Sequence, residues 1–472
     1  MKIRPRQACP WLLLFISAAG CRSSGNDGSP SSEAAGAEAG GAAGDSGAGE
    51  VGTGGRRSGD SGTGGARDAG SQAAGAPETG GSATGGTATG GTATGGTSSS
   101  DVDLCDQLIT DKKAHPMTAL TKPALGEAVT DPEFGTTLRR ITDVGGTGVI
   151  KPMYSPTQAW NADETYMVLY EVGHGHLLYD GLTYEYVRDL DIDPPDLEQV
   201  YWSTVDPDAL FWIDRNRLMR YRVSTNRSEA AQSIDCSGQV SADSHAWISW
   251  DSQRLGLYCE SSGNAFIYDL STGETLGSAE SDEAAPFISA SGTLAYLGGD
   301  VVDTSMKVLR TLDLSSAWEH CSLGRLASGH DTYNLVQFDP GRRGSGVGSL
   351  VTFDMTDGSS RVIVGPDTGY PYPPSGTHLS APIYKRPGWV FLSIIGDESG
   401  AGVLDQELVL ADTNPGGRVC RIAHHRSQEA QDYWGEPHVT GSPSGTRAIF
   451  GSDWGGGQSV DTYVVELPAF GG

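Results

Sequence analysis

Histidines recur in this sequence beside short β-strand patterns. Four segments show this context, DSHAWISWD, SGHDTYNLV, SGTHLSAPIY and GEPHVTGSPS, and they contain His245, His330, His378 and His438. An imidazole can bind a transition metal through a ring nitrogen, or it can remove a proton near neutral pH. If the fold brings these four side chains together, the sequence predicts a metal site or a proton-transfer site.

The elements that must position the histidines are repeated groups of short strands. Three segments show the repeat of strand, polar turn and hydrophobic strand clearly: 154–191, 244–278 and 436–468. Weaker copies occur at 200–225, 286–316, 329–365 and 376–413. Four strands in about 35–50 residues is the length of one propeller blade. The sequence therefore predicts an all-β fold, a seven-bladed β-propeller at 115–470.

One further strand pattern, TTLRRITDV at 136–144, precedes the first full repeat. We expect it to pair with the last blade and close the ring, which removes exposed sheet edges. The segment HVTGSPSGTRAIFGSDW is similar to the repeat of TolB-like or WD40-like propellers, with Ser444 in place of the usual Asp. This resemblance extends over 136–468 and implies the fold, whereas propellers host many unrelated functions.

In such a fold the innermost strand of each blade starts near one mouth of the central channel. We therefore expect the four histidines to converge at one mouth, together with Tyr154, which begins the first blade, and Tyr333. Two interpretations stay open: hydrogen bonds that join neighbouring blades, or a metal or catalytic site. Candidates for contacts with a bound ligand are Trp160, Trp247, Trp434 and Arg386.

Blade-start histidines on seven blades resemble the polysaccharide lyases, and the oligogalacturonate lyases in particular. The resemblance implies that His330, His378 and His438 hold one divalent ion (Mn²⁺, Zn²⁺ or Ca²⁺) and that His245 removes a proton. The related ulvan-type lyases use His and Tyr alone, which implies His245 with Tyr333 or Tyr154. Ser375 stands three residues before His378, where the oligogalacturonate lyases have a glutamine.

The first 20 residues have the pattern of an export signal. Basic residues precede an apolar run that is too short to span a bilayer. The ending AAGC resembles a lipoprotein signal, which implies a lipid on Cys21, and the Arg22 that follows implies the outer membrane; an ordinary signal peptide is the alternative. We expect an exported protein, lipid-anchored to the outer membrane, that is surface-exposed or faces the periplasm.

Residues 21–105 are composed mainly of Gly, Ala, Ser and Thr and include the repeat GGTATGGTATGG. This composition offers little to bury and predicts a disordered tether. The first 100 residues hold seven Lys and Arg against eight Asp and Glu, so nearly all of the net charge of −27 belongs to the remainder. Such an acidic domain repels nucleic acid. We expect a monomer that meets the membrane only through its lipid.

Five cysteines follow the lipidation site: Cys105, Cys236, Cys259, Cys321 and Cys420. Export permits disulfides, and the odd number leaves at least one thiol unpaired or paired between chains. Cys236 and Cys259 lie beside successive strand patterns and are the favoured pair.

Two functions remain open at the end of the sequence analysis. The first is a binding propeller that takes a glycan or protein ligand at its histidine- and aromatic-lined funnel. The alternative is an enzyme at the same funnel, a lyase that cleaves uronate-containing glycans by β-elimination. G-x-S-x-G, H-E-x-x-H and P-loop motifs are absent from the sequence, so serine hydrolase, zincin and nucleotidase functions lack support.

Overall fold

The computed structural model describes residues 103–242, 247–282, 284–316, 320–371 and 377–471. Within these ranges the chain forms seven sheets of four or five strands, each built from strands that are consecutive in the chain apart from the ring closure. The predicted seven-bladed β-propeller is thereby confirmed. The signal peptide, Cys21, nearly all of the predicted tether and His245 lie outside the described residues.

The strands of the described chain are β1 (Ala128–Thr130) and β2 (Thr137–Arg140), followed by the blades in order. Blades 1 to 3 are β3 (Ile150–Lys151), β4 (Tyr166–Glu171), β5 (Gly175–Asp180), β6 (Tyr186–Asp189); β7 (Val200–Trp202), β8 (Ala209–Asp214), β9 (Arg217–Arg222), β10 (Arg227–Ser233); and β11 (Val240–Ser241), β12 (Arg254–Cys259), β13 (Asn264–Asp269), β14 (Glu274–Glu280). Blades 4 to 6 are β15 (Phe287–Ile288), β16 (Leu294–Leu297), β17 (Asp300–Asp303), β18 (Val308–Thr311); β19 (Cys321–Arg325), β20 (Asp331–Gln337), β21 (Gly348–Asp354), β22 (Ser360–Val364); and β23 (His378–Ser380), β24 (Trp389–Ile394), β25 (Glu407–Asp412), β26 (Val419–His424). Blade 7 contains β27 (Thr440–Gly441), β28 (Arg447–Ser452) and β29 (Asp461–Glu466), and the two short 3₁₀ helices are η1 (Pro366–Thr368) and η2 (Asp432–Gly435). None of the helices in the described part of the chain has the length and hydrophobicity of a membrane span.

The ring closes where the sequence predicted it. Strand β2 pairs antiparallel with β29, so that Thr137 lies opposite Glu466 and Arg140 opposite Tyr463. Strand β1 then extends the same sheet to five strands. The first strands of the described chain therefore complete the last blade, and the ring is held shut by β-sheet hydrogen bonds.

Blade 5 starts earlier than the sequence pattern indicated. Its innermost strand is β19, eight residues before the predicted start at 329. The sequence CSLGR carries few large apolar residues because the blade centres approach closely here: a Cβ on Gly324 would lie 3.1 Å from the Cβ of Ala381. Since successive strands run antiparallel, this difference of one strand moves His330 to the other end of the blade.

The described residues contain two disulfides, and one of them ties the segment that enters the propeller to its rim. Cys236 and Cys259 form the predicted bond, and a second bond joins Cys105 to Cys420, 315 residues away. Leu104 and Leu108 pack into the same apolar cluster as residues of blades 6 and 7. Cys321 is buried and belongs to neither disulfide. The described chain thus contacts the propeller from its first residue, Asp103, which pairs with Arg418.

Candidate metal centre at the channel mouth

Three histidines from neighbouring blades meet at one mouth of the channel. His320 directly precedes β19, His378 is the first residue of β23, and His438 lies two residues before β27. The rings of His320 and His378 stack with centroids 4.4 Å apart, and the ring of His438 stands edge-on to His378 at 4.5 Å. Blades 5, 6 and 7 therefore each contribute one imidazole, as expected for residues at equivalent blade positions.

His320 was not among the predicted site residues, although it shares one local feature with His378 and His438. His320, His378 and His438 each stand two residues before a Ser or Thr of an innermost strand. The hydroxyl oxygens of Ser322 and Ser380 accept backbone N–H groups of the next blade, from Ala381 at 3.0 Å and Gly441 at 3.4 Å. The pattern H-x-[ST] also fits His330 and His425, so by itself it does not identify the innermost strands.

A carboxylate completes the group. Glu436 follows η2 directly, and its Oε2 lies 3.1 Å from Nε2 of His438 and 3.6 Å from Nε2 of His378. One ligand atom from each of these three residues lies within 4.8 Å of the other two. Both histidine side chains are almost fully buried, whereas the Glu436 side chain is 23% exposed. Two imidazole nitrogens and one carboxylate oxygen form a set that Zn²⁺ binds with one position left for another ligand and that Mn²⁺ binds with several positions left.

Two ionisable side chains at this group, Lys151 and Glu436, have pKa values shifted to near neutral pH. Lys151, at the end of β3, donates a hydrogen bond from Nζ to the backbone carbonyl of Glu436. Burial lowers the pKa of Lys151 to about 7, against the opposing effect of the Glu436 and Glu198 carboxylates. Burial likewise raises the pKa of Glu436 to about 7. The pKa of His438 is held well below its usual value by burial and then by Lys151, so this imidazole is neutral, as a metal ligand must be.

Aromatic rings surround the three imidazoles. Tyr154 lies edge-on to His378 and His438, with ring centroids 5.3 and 5.2 Å away. Tyr433, in η2, lies 4.8 Å from His438 and donates a hydrogen bond to Oε1 of Glu198 at 3.1 Å. Trp434 stacks on the ring of Tyr170. Tyr154 and Trp434 therefore lie beside this mouth, and their predicted roles stay predictions.

His176 is a buried histidine beside the aromatic residues. Its Nε2 donates to the carbonyl of Leu197 at 2.8 Å, its ring lies 5.2 Å from that of Tyr170, and burial lowers its pKa. As the pH falls, the unfolded chain therefore takes up a proton on His176 near pH 6.5, whereas the folded chain takes it up only at lower pH. The contribution of neutral His176 to stability is complete above pH 6.5 and is lost as the pH falls. Below pH 6.5 we expect His176 to lower the free energy of unfolding by about 1.4 kcal/mol for each pH unit.

Chemical denaturation between pH 7 and 5 measures this effect. The His176→Gln variant is expected to show a shallower acid slope, by up to one proton. His174→Gln, whose parent side chain is 51% exposed, is the control. Equal slopes for wild type and His176→Gln would show that His176 titrates alike in both states.

Two of the predicted site residues do not reach this mouth. His330 lies in the β19–β20 turn, where its side chain is 46% exposed and its Nδ1 is 2.6 Å from Oδ2 of Asp354. It is the antiparallel pairing of β19 with β20 that puts this turn at the opposite end of the blade. Tyr333 is fully buried inside β20 and stacks on Tyr296 with centroids 4.0 Å apart. The expectation that they join His378 and His438 is therefore corrected.

Three predicted ligand contacts also lie toward the other end of the channel. Arg386 belongs to the β23–β24 connection, at the end of β23 away from His378. Trp247 stacks on Tyr384 of the same connection. Trp160 is fully buried and bridges Met167 near the start of β4. His245, the predicted base, falls in 243–246, outside the described residues.

Comparison with known proteins gives structural similarity alone. No protein-family model and no curated protein sequence matches this chain. A solved oligogalacturonate lyase in complex with manganese has 16% identity, with 76% of this chain and 99% of the lyase covered and a TM-score of 0.51. An oligogalacturonate lyase from Vibrio parahaemolyticus has 14% identity, with 72% and 96% covered and a TM-score of 0.52. At these identities the likeness shows the propeller fold that this chain shares with the lyases.

Proposed function

We propose that the protein binds an acidic, uronate-containing glycan at the channel mouth through a divalent metal ion. The observation that carries this proposal is the convergence of His378, His438 and Glu436, whose ligand atoms lie within 4.8 Å of one another. His378 and His438 are held at the starts of innermost strands, so they sit on the rigid part of the blades. A solved lyase of similar fold is described in complex with manganese, which favours the same class of ion.

The charge of the chain makes a metal ion useful for such a ligand. The propeller carries nearly all of the chain's net charge of −27. It therefore repels a polyanion unless positive charge is concentrated at the binding site. When bound, the ion supplies that charge and attracts the sugar carboxylate. Tyr433, 43% exposed, and Trp434 beside it offer ring faces against which a sugar can pack.

Titration of the full chain with a galacturonate oligomer tests the proposal. After treatment with a chelator, we expect binding to be lost; Mn²⁺ or Zn²⁺ should restore it. A neutral galactose oligomer of equal length is the matched control and should bind weakly with or without metal. Equal affinity for the acidic oligomer in the presence and absence of metal would contradict the proposal.

β-Elimination at the same mouth is a second candidate function. His320 favours it, because its Nδ1 donates to the carbonyl of Thr377 at 2.7 Å and the lone pair is therefore on Nε2. This nitrogen can take the proton from the carbon beside the uronate carboxylate, while the electron pair forms a carbon–carbon double bond and the glycosidic oxygen departs. The unsaturated product absorbs ultraviolet light, and its formation by wild type but not by His320→Ala distinguishes an enzyme from a binding protein.

The proposed setting is the outer surface of an outer membrane, with the chain held there by a lipid on Cys21. The lipoprotein-like ending AAGC and the Gly-rich tether support this setting. A lipid anchor on this tether leaves the acidic propeller in solvent, where long glycans can reach the mouth.

A further inference from the structure

A second group of unusual side chains lies where the outer strands of blades 6 and 7 meet. Asp131 and Glu133 belong to the β1–β2 connection, and His424 is the last residue of β26. We call this group, with Arg426 beside it, the closure seam. One hydrogen bond joins the two sides of the closure seam: the backbone N–H of His424 donates to the side-chain Oδ2 of Asp131 at 3.1 Å. The closure seam uses none of the mouth residues.

His424 is the feature that hydrogen bonding does not explain. Its side chain is fully buried, yet neither ring nitrogen has a hydrogen-bond partner. Oε2 of Glu133 also lacks one, although that side chain is only 9% exposed. Buried polar atoms without partners are costly, and a native site that holds several of them calls for a further ligand. Burial and the nearby Arg426 lower the pKa of His424 to about 3, so its imidazole is neutral and able to bind a metal.

The spacing of these atoms fits a small cation. Nδ1 of His424 lies 3.5 Å from Oε2 of Glu133, and the ligand atoms of Asp131, Glu133 and His424 all lie within 4.8 Å of one another. Metal–ligand bonds of about 2.0–2.1 Å at tetrahedral angles put neighbouring ligand atoms about 3.4 Å apart. Oδ2 of Asp131 accepts a single backbone N–H, so it keeps a lone pair for a metal.

Arg426 does not take the place of that cation. Its Nη2 lies 3.5 Å from both Asp131 and Glu133, and neither Nε nor Nη2 makes a hydrogen bond. An Arg–carboxylate pair that is joined by hydrogen bonds has N···O distances of about 2.7–2.9 Å. The guanidinium is held instead by the carbonyl of Thr118, at 2.6 Å from Nη1, and by the face of Trp454. It therefore offsets negative charge beside the two carboxylates without using the oxygens that a metal needs.

From these contacts we infer that the closure seam binds one divalent transition-metal ion, through His424, Glu133 and Asp131. One imidazole and two carboxylates suit Zn²⁺ or Mn²⁺, with water in the remaining positions. The ion joins the β1–β2 hairpin to blade 6 across the point where the ring closes. Its role is structural, and it is independent of glycan binding at the mouth.

Cobalt titration of the full chain in the His378→Ala/His438→Ala background isolates the closure seam from the mouth. We expect this variant, after treatment with a chelator, to take up one equivalent of Co²⁺ with visible absorption bands, and Zn²⁺ to displace it. Saturation with Zn²⁺ should raise the melting temperature by about 3 °C. Adding Glu133→Gln should weaken the affinity at least about tenfold, and adding His424→Gln should abolish uptake.

His115→Gln is the matched control, because His115 also contacts the ring of Phe134 but pairs with Asp111 rather than with the closure seam. It should leave cobalt uptake unchanged. Glu133→Gln replaces one carboxylate oxygen with an amide nitrogen of similar size, so it reports on binding even if His424→Gln fails to fold. Absence of stoichiometric cobalt from the mouth-variant background would overturn the inference while leaving the mouth proposal untouched. Equal metal content in that background and in wild type would instead count against the mouth.

Discussion

The His378→Ala/His438→Ala variant is expected to bind a galacturonate oligomer at least about a hundredfold more weakly than wild type in the presence of Mn²⁺. The two imidazoles supply two of the three ligand atoms at the mouth, and Glu436 alone cannot keep the ion. Without the ion, the acidic propeller repels the uronate carboxylate. Isothermal titration calorimetry with and without Mn²⁺ measures the loss.

His330→Ala is the matched control for this experiment. It also removes an imidazole from a blade, but one that is half-exposed and paired with Asp354 at the other end of the strand. We expect it to bind the oligomer as wild type does. The mouth proposal fails if the two variants lose affinity to the same extent, or if the double variant keeps its metal-dependent binding.

Arg421→Ala is expected to lower the free energy of unfolding by about 3–5 kcal/mol. Arg421 and Glu407 are both completely buried, and Nε of Arg421 donates to Oε2 of Glu407 at 2.6 Å. The guanidinium also donates to the carbonyl of Lys113, which holds the entering segment against blade 6. Removing it leaves a buried carboxylate without its partner. Denaturant unfolding with linear extrapolation measures the change.

Arg418→Ala provides the comparison. Arg418 also joins blade 6 to the entering segment, through Asp103, but the two side chains are 53% and 44% exposed. An exposed pair of this kind contributes about 0–1 kcal/mol. A cost for Arg421→Ala no larger than that for Arg418→Ala would show that burial does not set the strength of the Arg421–Glu407 pair.

Much of the fold was predictable because blades are local units. Each blade is one run of consecutive strands, so turns and hydrophobic runs in the sequence marked their number and the closing strand at 136–144. The Cys236–Cys259 disulfide was predictable for the same reason, since its cysteines are only 23 residues apart. Strand β19 was not predictable from the sequence. Close contacts at the ring centre require small residues there, so the strand lacks the usual hydrophobic pattern.

The site was predicted only where the strand register was right. His378 and His438 were placed at the mouth because their innermost strands were correctly identified. In blade 5 the prediction was one strand too late, and it selected His330 instead of His320. Adjacent antiparallel strands begin at opposite ends of a blade, so an error of one strand places a side chain at the wrong mouth of the channel.

The sequence alone therefore determined the blades, their number, the acidic charge and two of the mouth histidines. Tertiary structure decided which other groups reach them. The turn of η2 brings Glu436 to both imidazoles, ring closure brings Asp131 to His424 across 293 residues, and Cys105 meets Cys420 across 315. These contacts depend on how the blades close into a ring, and no local pattern of residues encodes a distance across that ring.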